Sequence, residues 1–103
     1  AVLKYASSFR ASLAQSGYQK LPGGLIIQWG ITGAIAPGGN VAVTFPITFP
    51  IGILQPFANS ISSGNNTSAY SVSAYNPSAS GMNISNNSNT SGVVPATWLA
   101  IGY

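Results

Sequence analysis

The stretch from residue 41 to residue 53, VAVTFPITFPIGI, carries the most regular pattern in the chain. Its larger apolar residues stand at every odd position: Val41, Val43, Phe45, Ile47, Phe49, Ile51 and Ile53. A period of two is the side-chain period of a β-strand with one face in a core and the other in solvent. Pro46 and Pro50 both stand at even positions and lack a backbone N–H group. The stretch therefore predicts a strand at a sheet edge, or a break between two short strands.

Shorter segments with strand character lie on both sides of this stretch. LIIQWG, residues 25–30, predicts a strand with Leu25, Ile27 and Trp29 on one face, and ATWLAIGY, residues 96–103, predicts a final strand. Between residues 20 and 25, LPGG predicts a turn because proline presets one dihedral angle and glycine accepts positive φ. Several short strands, seven prolines and twelve glycines predict a mostly β chain, folded as an antiparallel β-sandwich or a barrel-like domain.

The N-terminal segment shows a different spacing. Within residues 2–15, Leu3, Ala6, Phe9 and Leu13 recur at intervals of three and four, and Ser16 and Gly17 follow as a stop signal. This spacing predicts a short N-terminal helix or helical turn.

The composition argues against catalysis. The chain contains no Asp, Glu, His or Cys, so most side chains that perform general acid-base chemistry or ligate metals are absent. The catalytic arrangement that the remaining residues allow is a serine activated by Lys4 or Lys20, which would require an unusually dry lysine. Solvated lysines are far commoner. We therefore predict no enzymatic activity, no cofactor and no metal site.

The charge balance bears on the partners of the chain. Its three charged side chains, Lys4, Arg10 and Lys20, are all basic and lie in the first twenty residues. They are too few for a nucleic-acid surface, and no apolar run reaches the length of a membrane span, so we predict neither nucleic-acid binding nor membrane insertion. A chain without carboxylates approaches an anionic surface without repulsion. The alternative is that uncharged amides and hydroxyls simply suit a densely packed appendage.

The size of the chain favours association. A chain of 103 residues with 3% charged residues, against about 25% in an average protein, has a thin core and little charge to keep copies apart. Oligomerisation is the usual remedy for a small core. These features predict many copies in a fixed assembly.

Three segments in this order resemble one protein family: GYQKLPGGLIIQWG (17–30), VTFPITFP (43–50) and WLAIGY (98–103). They resemble the C-terminal tip domain of tail fibre proteins from contractile-tailed bacteriophages of the Mu-like and P1-like types. The resemblance covers roughly residues 16–57 and 96–103. It implies a homotrimeric β-sandwich at the distal end of the tail fibre of a virion, with residues 1–16 connecting to the shaft and residues 17–103 forming the tip.

The same resemblance implies partners and a function. The tip would bind lipopolysaccharide or another surface glycan of a Gram-negative host to start adsorption, and a fibre-assembly chaperone would help it fold. The alternative is a structural trimerisation or capping domain that does not touch the receptor. The scaffold would have its core filled by the following residues: Leu25, Ile27, Trp29, Phe45, Phe49 and Trp98.

Receptor binding is assigned to the polar part of the chain, which is rich in Asn and Ser between residues 59 and 92. Within it, TSAYSVSAYN (67–76) predicts a strand that carries Tyr70 and Tyr75 on opposite faces, and residues 76–92 predict a loop with a short strand at 82–85. Amides pair with sugar hydroxyls and tyrosines stack on sugar rings, although a tyrosine packed at a subunit contact is an equal alternative. The candidate residues are Tyr70, Tyr75, Asn76, Asn83, Asn86, Asn87, Asn89, Asn65 and Asn66.

Overall fold

The computed structural model describes residues 10–61, 71–87 and 93–103. These residues form the following strands: β1 (Ala11–Ser12), β2 (Gly17–Lys20), β3 (Ile26–Ile31), β4 (Asn40–Thr44), β5 (Ile53–Ser60), β6 (Val72–Tyr75), β7 (Gly81–Asn86) and β8 (Ala96–Gly102). One sheet has the order β1-β2-β3-β8-β5 and the other has the order β4-β7-β6. Every strand pairing is antiparallel.

The two sheets share one hydrophobic core, as predicted for a β-sandwich. Its buried members come from both sheets and from the segments between them: Ile26, Ile35, Phe45, Phe49, Met82, Ile84, Ala96, Trp98 and Ala100. The Phe45 ring lies 5.4 Å from the Phe49 ring and 5.3 Å from the Trp98 ring, measured between centroids. Gly30 and Gly102 make room for this aromatic cluster, because a Cβ atom at either position would lie 2.5 Å from the ring of Trp98 or Phe49.

The stretch 41–53 forms a break between two strands, which was one of its two predicted forms. It begins in β4, leaves the three-stranded sheet after Thr44, and enters the five-stranded sheet at Ile53. The inward alternation continues across the break, where Phe45 and Phe49 are buried, and ends at Ile51, which is 70% exposed. Both β4 and β5 are edge strands, and β5 accommodates Pro56 because an edge strand has one side free of partners.

The predicted core face of LIIQWG was wrong. Residues 26–31 form β3 as expected, but Ile26, Gln28 and Gly30 face the core, whereas Ile27 and Trp29 are half-buried on the opposite face. Leu25 precedes the strand and is 37% exposed. Apolar residues occupy both faces of this segment, so alternation alone does not identify the inner one.

The polar residue Gln28 is fully buried and has a structural role. Its Nε2 donates to the backbone oxygen of Ile47 at 2.8 Å, and its Oε1 accepts from the Ile47 N–H at 2.9 Å. Ile47 lies in the break between β4 and β5, where a regular strand partner is missing. The amide side chain of Gln28 therefore replaces a strand partner at the crossing between the sheets.

The predicted N-terminal helix does not occur in the described residues. Ala11 and Ser12 form β1 and pair with Gln19 and Tyr18 of β2, while Leu13, assigned to the apolar helix face, is 81% exposed. Residues 2–9 of that prediction lie outside the described residues. In the part of the chain that the structure describes, no helix is long and apolar enough to cross a bilayer.

The predicted turn before β3 and the predicted final strand agree with the structure. Leu21–Gly24 forms a turn in which the Gly24 N–H donates to the Leu21 oxygen at 3.3 Å. Gly23 has φ of 95°, as required at the third position of a type II turn with proline at the second. The final segment forms β8, an interior strand of the five-stranded sheet that lies between β3 and β5.

Candidate functional site

The outer face of the three-stranded sheet brings together the described polar residues. On β7, Met82, Ile84 and Asn86 are buried, so Asn83 and Ser85 project from the opposite face. Most side chains on this outer face are polar and none is charged, whereas the inner face of the same sheet contributes apolar side chains to the core. We call this outer face the polar face, and its residues are Asn40, Ala42, Thr44, Ser73, Tyr75, Gly81, Asn83 and Ser85.

One row across the polar face contains its aromatic residue. Tyr75 of β6 lies directly opposite Asn83 of β7, and Asn83 lies opposite Ala42 of β4. Directly opposed residues have Cβ atoms about 4.5–5.5 Å apart. Ala42, at an exposed position, contributes only a methyl group to this row. The row therefore presents an aromatic ring, an amide and a small side chain, a combination suited to a sugar that stacks on the ring and hydrogen-bonds to the amide.

A second row is organised by Asn87. The Asn87 Nδ2 donates to the Ser73 hydroxyl at 2.7 Å, and the Ser85 hydroxyl donates to the Asn87 Oδ1 at 2.9 Å. The Asn87 backbone N–H donates to the Ser71 oxygen at 2.8 Å. These bonds hold two hydroxyl groups in fixed positions on opposed residues of β6 and β7. Groups that are already ordered lose less conformational entropy when a ligand binds.

The hairpin between β6 and β7 borders the polar face. Asn76 follows Tyr75 directly, is exposed, and has φ of 50°, a value that asparagine tolerates better than most residues. The Ser78 hydroxyl accepts from the Gly81 N–H at 3.2 Å and so fixes the turn. Gly81 passes so close to the backbone of Val43 that a Cβ atom would collide with the Val43 oxygen. The hairpin is therefore held at a defined position beside Tyr75.

Asn86 lies inside the sandwich, unlike the other described candidates. It is 1% exposed, and its Nδ2 donates to the Ile35 oxygen at 2.9 Å. Its backbone N–H and oxygen bond to Gly39 and Gly38. The side chain thus anchors the segment between β3 and β4, and it does not reach the polar face.

Four candidates, Tyr70, Asn65, Asn66 and Asn89, lie outside the described residues. Of the others, Tyr75 and Asn83 come together in one row, while Asn76 and Asn87 lie at the ends of adjoining strands. Asn40, Ser73 and Ser85 also belong to this surface, although the sequence pattern did not predict them as site residues. The two-residue period of GMNISN (81–86) was a usable signal, because it puts Asn83 and Ser85 on one face and Asn86 on the other.

The outer face of the five-stranded sheet has a contrasting character. Its central row consists of Trp29, Leu99 and Phe57, and the neighbouring row contains Ile27 and Ile101. Phe57 is 46% exposed. The Trp29 Nε1 donates to the Ala14 oxygen at 2.9 Å, so the β1–β2 hairpin fixes that ring. We call this outer face the apolar face, after its large apolar residues Ile27, Trp29, Ile31, Phe57, Leu99 and Ile101. The same face also carries the polar residues Gln19, Gln55, Asn59 and Thr97.

Solved structures of pyocin fibres share this architecture. The N-truncated R2-type pyocin tail fibre matches with a TM-score of 0.80 and 28% identity over 91% of this chain and 37% of that chain. The R2 pyocin fibre of P. aeruginosa matches with the same TM-score and identity over 91% of this chain and 25% of that chain. The N-truncated R1-type pyocin tail fibre matches with a TM-score of 0.73 and 30% identity over 91% of this chain and 84% of that chain. The fold is therefore that of a domain of phage-like tail fibres.

The sequence leads to the same class. Residues 20–103 match the family described as tail fiber protein gp53-like, C-terminal, and the chain belongs to this family. No curated protein matches the chain in sequence. The prediction of a tail fibre C-terminal domain is thus confirmed, and such a domain is part of a phage-like particle. The chain spans only 37% and 25% of the two R2-type fibre chains.

Proposed function

We propose that this domain is the receptor-binding tip of a tail fibre, and that it binds lipopolysaccharide or another surface glycan of a Gram-negative host. The observation that carries the proposal is the polar face, where Tyr75 stands opposite Asn83 and an ordered hydroxyl row runs beside it. Uncharged amides and hydroxyls match the hydroxyls of neutral sugars, and a tyrosine ring matches the apolar side of a sugar ring.

The proposed tip acts as a homotrimer at the distal end of the fibre, assembled with the help of a chaperone. The apolar face supports self-association, because its central row combines the exposed Phe57 with the half-buried Trp29 and Leu99, and apolar surface of this kind is costly to leave in water. A neutral hydrogen bond contributes only about 1 kcal/mol net, so single sites of this kind bind weakly. Trimeric display raises the overall binding by about 10² to 10⁴ without new contacts.

A second candidate function is a trimerisation or capping domain without receptor contact. The apolar face alone favours it, since self-association is all that such a domain needs. Both functions predict that the chain self-associates. The receptor-binding function predicts that the polar face contacts a receptor, and the capping function predicts that it does not.

The deciding experiment measures binding of the purified chain to intact Gram-negative cells and to lipopolysaccharide with successive truncations of the O-antigen and outer core. For a receptor-binding tip we expect binding that disappears at one truncation. A folded trimer that binds no cells and no lipopolysaccharide would contradict the receptor-binding function and leave the capping function.

A further inference from the structure

Two of the three basic residues stand opposite each other at the edge of the five-stranded sheet. The Lys20 N–H donates to the Arg10 oxygen at 2.8 Å. This bond continues the β1–β2 register of Ala11 with Gln19 and Ser12 with Tyr18. Directly opposed residues have Cβ atoms about 4.5–5.5 Å apart, and like charges in such a pair destabilise a sheet. The fold therefore holds two positive charges together on one side of β1 and β2.

The chain has no acidic side chain that compensates this pair. It contains no Asp and no Glu, so neither this copy nor another copy of the same chain supplies a side-chain carboxylate. The third basic residue, Lys4, adds to the positive charge of the N-terminal segment. A repulsive pair that the chain does not neutralise is suited to an anionic ligand, because an oxyanion between two cations removes the repulsion and adds charge-assisted hydrogen bonds.

A surface pocket of about 240 Å³ has Lys20 of the pair in its lining. Arg10 is not among the lining residues, and it is brought to the pocket by its pairing with Lys20. The apolar residues of the lining are Leu21, Pro22, Leu25, Ile26 and Pro50. The turn residues Gly23–Gly24 border it with bare backbone, where an added Cβ atom would meet nothing within 4 Å. The volume is below the roughly 300–1,000 Å³ of drug-sized ligand sites and is suited to a single sugar residue.

The pocket is separate from the polar face. It lies at the β2–β3 turn of the five-stranded sheet, whereas Tyr75 and Asn83 project from the three-stranded sheet. Its chemistry also differs, because it combines the Lys20 cation with apolar residues, and the polar face has no charge. A ligand that suits the pocket therefore differs from the neutral sugar that suits the polar face.

We propose that the pocket binds an acidic sugar, with Arg10 and Lys20 on its phosphate or carboxylate and with Leu21, Leu25 and Pro50 against its ring. Arginine offers paired N–H donors to an oxyanion and lysine offers a point charge. The inference rests on the proposed function, since a glycan receptor is what brings an acidic sugar to this domain. Phosphate and carboxylate share the chemistry that the pair recognises, and the test separates them.

The test is an NMR titration of the ¹⁵N-labelled chain with glucose 6-phosphate and with galacturonic acid, each compared with its neutral sugar, glucose or galactose. We expect at least one acidic sugar to shift the amide signals of Lys20, Leu21 and Gly23, with a shift that weakens as salt is raised. A shift with glucose 6-phosphate alone assigns phosphate, and a shift with galacturonic acid alone assigns carboxylate. Inorganic phosphate should bind more weakly than the sugar phosphate, because it lacks a ring for the apolar walls.

The matched variants are Arg10→Gln with Lys20→Gln, and Lys4→Gln as a control that removes one positive charge without removing either member of the pair. We expect the double variant to bind the acidic sugar at least tenfold more weakly, Lys20→Arg to retain binding, and Lys4→Gln to change it little. Circular dichroism establishes that each variant is folded. The proposal is wrong if neither acidic sugar shifts these signals, if inorganic phosphate binds as well as the sugar phosphate, or if Lys4→Gln weakens binding as much as the pair.

Cell binding measured in parallel separates this inference from the proposed function. A chain that binds lipopolysaccharide but no acidic sugar refutes the pocket and keeps the receptor-binding tip. A chain that binds the acidic sugar in the pocket but neither cells nor lipopolysaccharide refutes the tip and keeps the pocket.

Discussion

The outer faces of the two sheets differ in the kind of side chain that they present to the surroundings. The apolar face presents Trp29, Leu99 and Phe57 in one row, whereas the polar face presents Tyr75, Asn83 and a small alanine. Both faces belong to strands that bury their other side in the same core. The contrast is therefore a property of the outer positions alone.

Under the proposed function, the two faces divide assembly from recognition. An apolar face gains free energy by leaving water, at about 25 cal/mol per Å² of buried area, and so suits contact between copies. A polar face costs little free energy while it is exposed to water, and it suits a ligand that stays hydrated and binds weakly. The inner core keeps the two faces on opposite sides, so changes to one face leave the other intact unless the core itself is disturbed.

The largest expected effect comes from removing the core residue that supports both faces. Trp98→Ala deletes a buried ring that packs against Phe45, and truncations of this size cost about 3–5 kcal/mol of unfolding free energy. Chemical denaturation measures the loss. The matched variant is Trp29→Ala on the apolar face, for which we expect a smaller loss of stability and a larger loss of association. Equal losses for the two variants would contradict the separation of core and outer face.

A smaller loss is expected at the crossing between the sheets. Gln28→Ala leaves the backbone N–H and oxygen of Ile47 without their side-chain partner, which costs about 1–3 kcal/mol. Gln55→Ala, at an exposed position of β5, is the control and should change the unfolding free energy little. An unchanged melting temperature for Gln28→Ala would show that water replaces the amide at this site.

The apolar face is tested by a polar substitution in its centre. Leu99→Asn should weaken self-association at least tenfold, about 1.4 kcal/mol, while the monomer stays folded. Light scattering over a dilution series measures the association, and Thr97→Asn on the same strand and face is the control. A variant that associates as strongly as the original chain would place the contact between copies elsewhere.

The polar face is tested by a substitution for which we expect the smallest effect of this series. Tyr75→Ala removes the ring beside Asn83 and should reduce cell binding about five- to tenfold, as expected for about 1 kcal/mol per contact, without altering association. Thr48→Ala, at an exposed position in the break between β4 and β5, is the control. Unchanged adsorption by Tyr75→Ala would exclude this row as the receptor site.

Much of the fold follows from local rules that tertiary contacts do not override. The alternation in residues 41–49 predicts their inward side chains, and Pro22 with Gly23 predicts the turn before β3. The inner face of β3 was not predictable, because a buried glutamine next to an outward isoleucine reverses the hydrophobic signal. β1 was not predictable either, since a two-residue strand is defined by its partner and not by its own sequence.

The composition of the sequence predicted which segment supplies the candidate site. It predicted less well which residues of that segment lie on the polar face. The Asn- and Ser-rich segment does supply Tyr75, Asn83 and Asn87, and the short strand predicted at 82–85 lies within β7, but the choice of candidate residues did not use the alternation along that strand. This alternation buries Asn86 and puts Asn83 on the outer face. Asn40 was missed because it lies far away in sequence and joins the face only through the pairing of β4 with β7.

The buried polar side chains of the described residues are Gln28 and Asn86, and both are neutral amides. Stability depends on pH only where a group binds protons differently in the folded and unfolded states. The chain has no Asp, Glu, His or Cys, the side chains whose ordinary pKa values span about 3.9 to 8.5. Its unfolding free energy should therefore stay constant between about pH 5 and pH 7. A domain built on buried amides is insensitive to acidity, so a particle that carries it keeps this surface in a mildly acidic medium and in a neutral one alike.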